Sequence, residues 1–157
     1  MKRFFIILAF GLIAVFLLLT IQCTKFYQIE FITENNFILD ASAHEFDVIA
    51  RDGYHVIHIV INGESDSYIN FPTYLGLHKD SIMYFDNVDV VYTYQNNQEY
   101  SIEIIGEWFT LKKNEWHSPV TRISVDENKG DTERTLTVYI SNGDRAHNDI
   151  NISQQKK

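Results

Sequence analysis

The sequence predicts an all-β fold, a sandwich of two antiparallel sheets set behind an N-terminal hydrophobic helix. Beyond residue 23 the apolar residues alternate with period two in short runs and almost nowhere sustain a helical period. Turn-forming stretches separate these runs: RDG at 51–53, NGESD at 62–66, QNNQ at 95–98, NKGD at 128–131 and SNGD at 141–144. An aromatic content of 14%, with 7 Gly and 2 Pro, argues for a packed core and against disorder.

The chain opens with Lys2 and Arg3, followed by an apolar run from Phe4 to Ile21 that carries no charge. This is the pattern of an export signal or a membrane anchor, and its length sits at the lower edge of what spans a bilayer. The positive residues place everything after residue 23 outside the inner membrane. Cys23 is the only cysteine, so no disulfide within the chain is available. The stretch LLLTIQCT resembles the lipobox of bacterial lipoproteins, and the resemblance implies that Cys23 is diacylated and becomes the new N-terminus. Gln22 stands where lipoboxes carry Gly, Ala or Ser, and the alternative is a retained signal anchor with Cys23 at its outer end. Both readings tether the domain to the bacterial cell envelope, facing the periplasm or the cell surface. The expected organisation is therefore a signal or anchor over 1–22, a tether with a possible first strand over 23–36, and one sandwich over 37–157.

Setting Lys2 and Arg3 aside leaves 11 basic against 21 acidic residues, a net charge of −10 for the exported part. Nucleic acid is excluded as a partner on this balance. The acids are scattered rather than blocked, which is the pattern of a solvated surface.

Strands are expected at 26–32, 45–50, 55–61, 88–94, 99–105, 108–111, 121–125, 134–140 and 149–153. In RTLTVYI, Leu136, Val138 and Ile140 share one face, and Thr135, Thr137 and Tyr139 share the other. Ile150 and Ile152 repeat the inward pattern, so this closing hairpin is expected to belong to the core. The stretch from Glu64 to Asn87 is irregular, and a structureless loop of that size is unusual in a compact domain. Part of it is expected to pair or pack.

From Gly106 onward, EWFTL with Trp108, ISVDEN with Asn128, ERTLTVYI with Arg134 and DINISQQ with Gln154 resemble the C-terminal half of a BACON domain. That family is the Bacteroidetes-associated, carbohydrate-linked, immunoglobulin-like module. Upstream, ASAHEFDVIARDG is similar to its first strands. The resemblance implies an immunoglobulin-like β-sandwich in a secreted or surface protein of glycan-using systems.

Exposed aromatic faces are the usual platform for sugars, which makes Trp108 and Trp116 the first candidates. Trp108 matches the family's core tryptophan and is expected to pack. Trp116, in the polar loop KKNEWHSP, is expected to fold back onto the sheet, with an exposed, ligand-binding tryptophan as the alternative; it is the one candidate ligand-binding residue. Tyr92 and Tyr94 share a strand face with Val88 and Val90, which points them inward. His55 and His58 stand three apart, on opposite faces of a strand, and do not make a metal pair. DENKGD at 126–131 departs from a calcium loop in its glycine position and lacks a terminal bidentate acid. NIS at 151–153 falls inside a strand and reads as structure, not as a glycosylation site. No nucleophile elbow or phosphate loop is present, and neither an enzyme nor a cofactor is expected.

The expected function is that of a membrane-tethered lipoprotein that binds a glycan or serves a glycan-handling surface complex. The alternative is an immunoglobulin-like spacer that contacts envelope proteins and has no sugar site. Any binding surface is expected in the long middle segment or the Trp116 loop.

Overall fold

Alternating β-branched and polar residues leave each strand with one apolar face, which is buried by stacking two sheets. In the computed structural model, which describes residues 28–65, 80–95, 99–143 and 146–157, the chain forms two such sheets. The N-terminal hydrophobic segment, Cys23 and the first two residues of the strand expected at 26–32 lie outside the described residues. Among the described residues, no helix is long and apolar enough to cross a membrane.

The first sheet contains β1 (Asn36–Leu39), β11 (His147–Gln154), β10 (Arg134–Ser141), β3 (His55–Ile61) and the two-residue β4 (Glu64–Ser65), in that spatial order. The second contains β2 (His44–Ile49), β9 (Val120–Val125), β8 (Phe109–Lys113), β7 (Glu99–Gly106), β6 (Val88–Gln95) and β5 (Ser81–Tyr84). The sandwich is all-β and immunoglobulin-like in character. Its sheets are not wholly antiparallel, because β1 pairs with β11 in parallel.

Expected and observed strands differ most at the N-terminal side. Residues 28–32 form isolated bridges, Gln28 to His147 and Phe31 to Ala50, instead of a strand. The edge of β11 is occupied by Asn36–Leu39, so the earlier segment has no ladder to join. Within the irregular middle stretch, β5 pairs with β6 from Ser81 opposite Tyr92 to Tyr84 opposite Asp89.

The core forms as the alternation requires. Leu136, Val138, Ile140 and Ile150 are fully buried, with Ile152 close behind. Val88, Val90 and Tyr92 face them from the second sheet, and Tyr94 packs against the same cluster. Across the sheets, Phe37 of β1 and Phe46 of β2 meet at 4.3 Å between ring centroids. Burying side chains of this size stabilises the fold by about 1.5–3 kcal/mol each.

Strand register defines two ends. The upper end holds the Asn62–Gly63 turn, the turns 85–87 and 106–108, the loop 126–133 and the C-terminus. Asn62 and Gly63 have φ of 51° and 82°, the two left-handed residues that a two-residue hairpin turn demands. The lower end holds the turn 51–54, the loop 114–119 and the connection from β10 to β11.

Two buried carboxamides tie the upper end together. Asn128 Nδ2 donates to the carbonyls of Thr132 (2.8 Å) and Gln155 (3.1 Å), while its Oδ1 accepts from the Gly130 amide (3.1 Å). The backbone N–H of Asn128 donates to the Ala41 carbonyl at 2.8 Å. Gln154 Nε2 donates to the carbonyls of Ser42 and Asp126, each at 2.9 Å. Both residues are wholly buried. Asn128→Ala would strand two carbonyls and an amide, and we expect it to lower unfolding free energy by about 2–3 kcal/mol. Urea unfolding measures this, and a loss below about 0.5 kcal/mol, typical of a plain surface site, would contradict the assigned role.

Candidate functional site

At the upper end the two sheets part to leave a cleft of about 600 Å³. The β3–β4 turn supplies Asn62 and Glu64, and the β5–β6 turn supplies Phe85, Asp86 and Asn87. Asp89 of β6, Glu107 and Trp108 from the β7–β8 turn, and Arg134 at the start of β10 complete the wall. Hairpin turns gather here because each returns the chain between neighbouring strands at the same end.

Close packing fixes the floor. Gly106 has no room for a side chain, since an added Cβ would lie 2.3 Å from the ring of Phe109. Trp108 is 5% exposed and meets Phe109 edge to face at 5.2 Å. The Arg134 guanidinium lies 5.6 Å from the centre of the Trp108 ring, within reach of a cation–π contact. The Asp126 amide donates to the Trp108 carbonyl at 2.9 Å, which joins the cleft to the loop that Asn128 holds.

The cleft is acidic. Glu64, Asp86, Asp89 and Glu107 form no ion pair with any described residue. Some acids elsewhere are paired: Arg122 bonds both carboxylate oxygens of Asp47 at 2.9 and 3.1 Å, and Arg51 meets Glu30 at 2.7 Å. A cleft with four carboxylates and one guanidinium offers hydrogen-bond acceptors to hydroxyl or amine donors and repels anions.

Trp116, the residue singled out from sequence, lies at the opposite end and is buried at 9% exposure. Its indole stacks on His55 at 5.6 Å and 13°, with Tyr92 beside it at 6.1 Å. The loop folds back because a buried imidazole and a tyrosine ring provide its seat, so Trp116 offers no open stacking face. His58 points the other way and stacks on Tyr139 at 5.4 Å on the outer surface of the first sheet. Among the described residues, no group of three or more His, Cys, Asp or Glu side chains is placed to hold a metal.

Asp40, Ser42 and His44 form a cluster whose residue types invite comparison with a catalytic triad. The Ser42 hydroxyl and amide donate to Asp40 Oδ1 at 2.5 and 2.8 Å, and His44 Nε2 lies 3.0 Å from that same oxygen. Ser42 Oγ approaches the same ring nitrogen at 3.3 Å. A triad needs the carboxylate on one imidazole nitrogen and the hydroxyl on the other. Here both crowd Nε2, so the cluster is a turn cap. The Ser42 hydroxyl, its amide and His44 hold the Asp40 carboxyl down at about 2.

The lower end also buries Lys113, at 1% exposure. Its Nζ donates to the Ser118 carbonyl (2.5 Å) and Thr121 Oγ1 (3.3 Å) and sits 3.6 Å from the Tyr54 ring centre. Burial brings its pKa down to about 7. Burial, reinforced by His117, Lys113 and His147, brings His55 down to about 4. The sequence carried no signal for this lysine beyond its inward register at the end of β8.

Comparison with protein-family profiles gives no match, and comparison with curated proteins gives none either. Among solved structures, the chain is similar to one described as the NMR structure of the protein from Bacteroides thetaiotaomicron. The two share 10% identity with a TM-score of 0.48, over 85% of this chain and 86% of that one.

A base held neutral in the fold binds fewer protons than in the unfolded chain, so stability rises with pH between the folded and unfolded pKa values. For His55 that window runs from about 4 to 6.5, and for Lys113 from about 7 to 10.5. Each group contributes a slope of up to about 1.4 kcal/mol per pH unit in its window. We expect urea-derived stability to climb through both windows, with His55→Phe flattening the acidic limb and Lys113→Met the alkaline one. Unchanged limbs in these variants would contradict the assignment.

Proposed function

We propose that the protein is a membrane-tethered envelope lipoprotein whose upper cleft binds a glycan. The observation that carries this reading is the cleft itself, where carboxylates, amides and an aromatic edge converge from several turns on a volume suited to a few sugar rings. Carboxylates and carboxamides are the groups that accept and donate hydrogen bonds to a pyranose's hydroxyls. The unneutralised acids favour neutral or amine-bearing saccharides over uronic or sulfated ones. The BACON resemblance and the lipobox-like LLLTIQCT support the same setting. No enzymatic step is proposed.

A second reading, an immunoglobulin-like spacer that contacts another envelope protein, is favoured by one observation. Ile82 and Tyr84 on β5 and Ile105 on β7 are 52%, 75% and 39% exposed. Tyr84 and Ile105 both register with Asp89, so the three lie together near the β5 edge of the second sheet.

Calorimetry on the detergent-solubilised full chain tests the first reading. Neutral oligosaccharides are expected to bind and oligogalacturonate to fail, with Asp86→Asn and Glu107→Gln each weakening binding about tenfold, or about 1.4 kcal/mol. Absence of binding across a neutral glycan panel, with one consistent protein neighbour on cross-linking in cells, would leave the spacer reading. For the tether, Cys23→Ser is expected to abolish incorporation of a fatty-acid probe. Unchanged labelling would overturn lipidation at Cys23.

A further inference from the structure

The chain enters the fold at a defined place. Gln28 bridges to His147, the first residue of β11, and Asn148 Nδ2 donates to the Ile29 carbonyl at 2.8 Å. Ile29 is 5% exposed, and the Arg51 amide donates to the Glu30 carbonyl at 2.8 Å. Together these contacts fix residues 28–30 against the lower end, beside the turn 51–54 and the start of β11. The cleft opens at the other end, where Arg134 begins β10 and Asn62 follows β3.

Resting on the reading that the chain is anchored at or just before Cys23, we propose that the lower end faces the lipid surface and the acidic cleft faces away from it. Cys23 and Gln28 are five residues apart, and at about 3.6 Å per residue the link spans at most ~18 Å. β10 runs the length of the body, and its eight residues cover roughly 24 Å at about 3.4 Å each. A link shorter than the body cannot carry the cleft down to the membrane by inverting the domain. The surface that meets lipid is therefore formed by Arg51, Asp52 and the loop carrying Glu115 and His117. The cleft is left free for an extended polymer approaching from the far side.

The test places a fluorophore at a new cysteine in the full chain, Asp52→Cys for the lower end or Asp131→Cys for the upper. The chain is reconstituted in vesicles of neutral and anionic phospholipid that carry a headgroup-attached energy acceptor. Transfer is expected to be several-fold stronger from position 52 than from position 131. Equal transfer, or stronger transfer from 131, in a chain that sediments with the vesicles would overturn the orientation while leaving the anchor and the cleft standing. A chain that stays in the supernatant would overturn the anchor and this orientation with it. The parent, whose sole thiol is Cys23, serves as the blank: no labelling fits acylation, and labelling fits a retained anchor, whose signal is subtracted.

Discussion

The upper end of this sandwich depends on the buried carboxamide of Asn128. From one side chain it fixes the carbonyls of Thr132 and Gln155 and the amide of Gly130, and its own backbone reaches Ala41. A wholly buried amide must satisfy its polar atoms or lose the stability that burial would bring. That requirement draws the loop after β9, the turn after β1 and the C-terminal strand to a common point. Gln154 adds a second tie through its Nε2 alone, which donates to the carbonyls of Ser42 and Asp126. Asp126 in turn holds Trp108, and Arg134 follows the loop that Asn128 fixes. The cleft therefore inherits its geometry from residues that line none of it.

This dependence separates residues that hold the upper end from residues that face the cleft. Asn128 and Gln154 are structural staples, and Trp108 is mostly core with one edge on the cleft. The acids that give the cleft its character, Glu64, Asp86, Asp89 and Glu107, come from β4, the β5–β6 turn, β6 and the β7–β8 turn.

Much of the fold was legible because strand alternation is a local signal. The inward set on β10 and β11, the facing of Val88, Val90 and Tyr92, and the Asn62–Gly63 turn all follow from short stretches read alone. Pairing was not legible. The apolar alternation around Ile29 and Phe31 reads as a strand, yet Asn36–Leu39 takes the available edge of β11, and does so in parallel. Of the site, the sequence pointed to the long middle segment, which supplies Glu64 and Phe85 to Asn87, and to Trp116, which belongs to the other end. Trp116 is seated by His55 from a strand some sixty residues earlier, a contact that no local pattern reports. The cleft is assembled from separate turns, so its acidity appears in the sequence only as scattered charge.

At the lower end, Lys113 and His55 sit where burial disfavours charge, and the resulting cost falls on stability rather than on the cleft. The two ends thus differ: the lower one closes the body, and the upper one opens toward solvent as a cleft. The most direct measurement of the central claim is a 1H–15N NMR titration of the protein with neutral oligosaccharides. Shifts confined to residues 62–64, 85–89 and 106–108, with the Trp108 indole among them, are the predicted result. Shifts centred on Trp116 and the lower end, or none at saturating sugar, would contradict it.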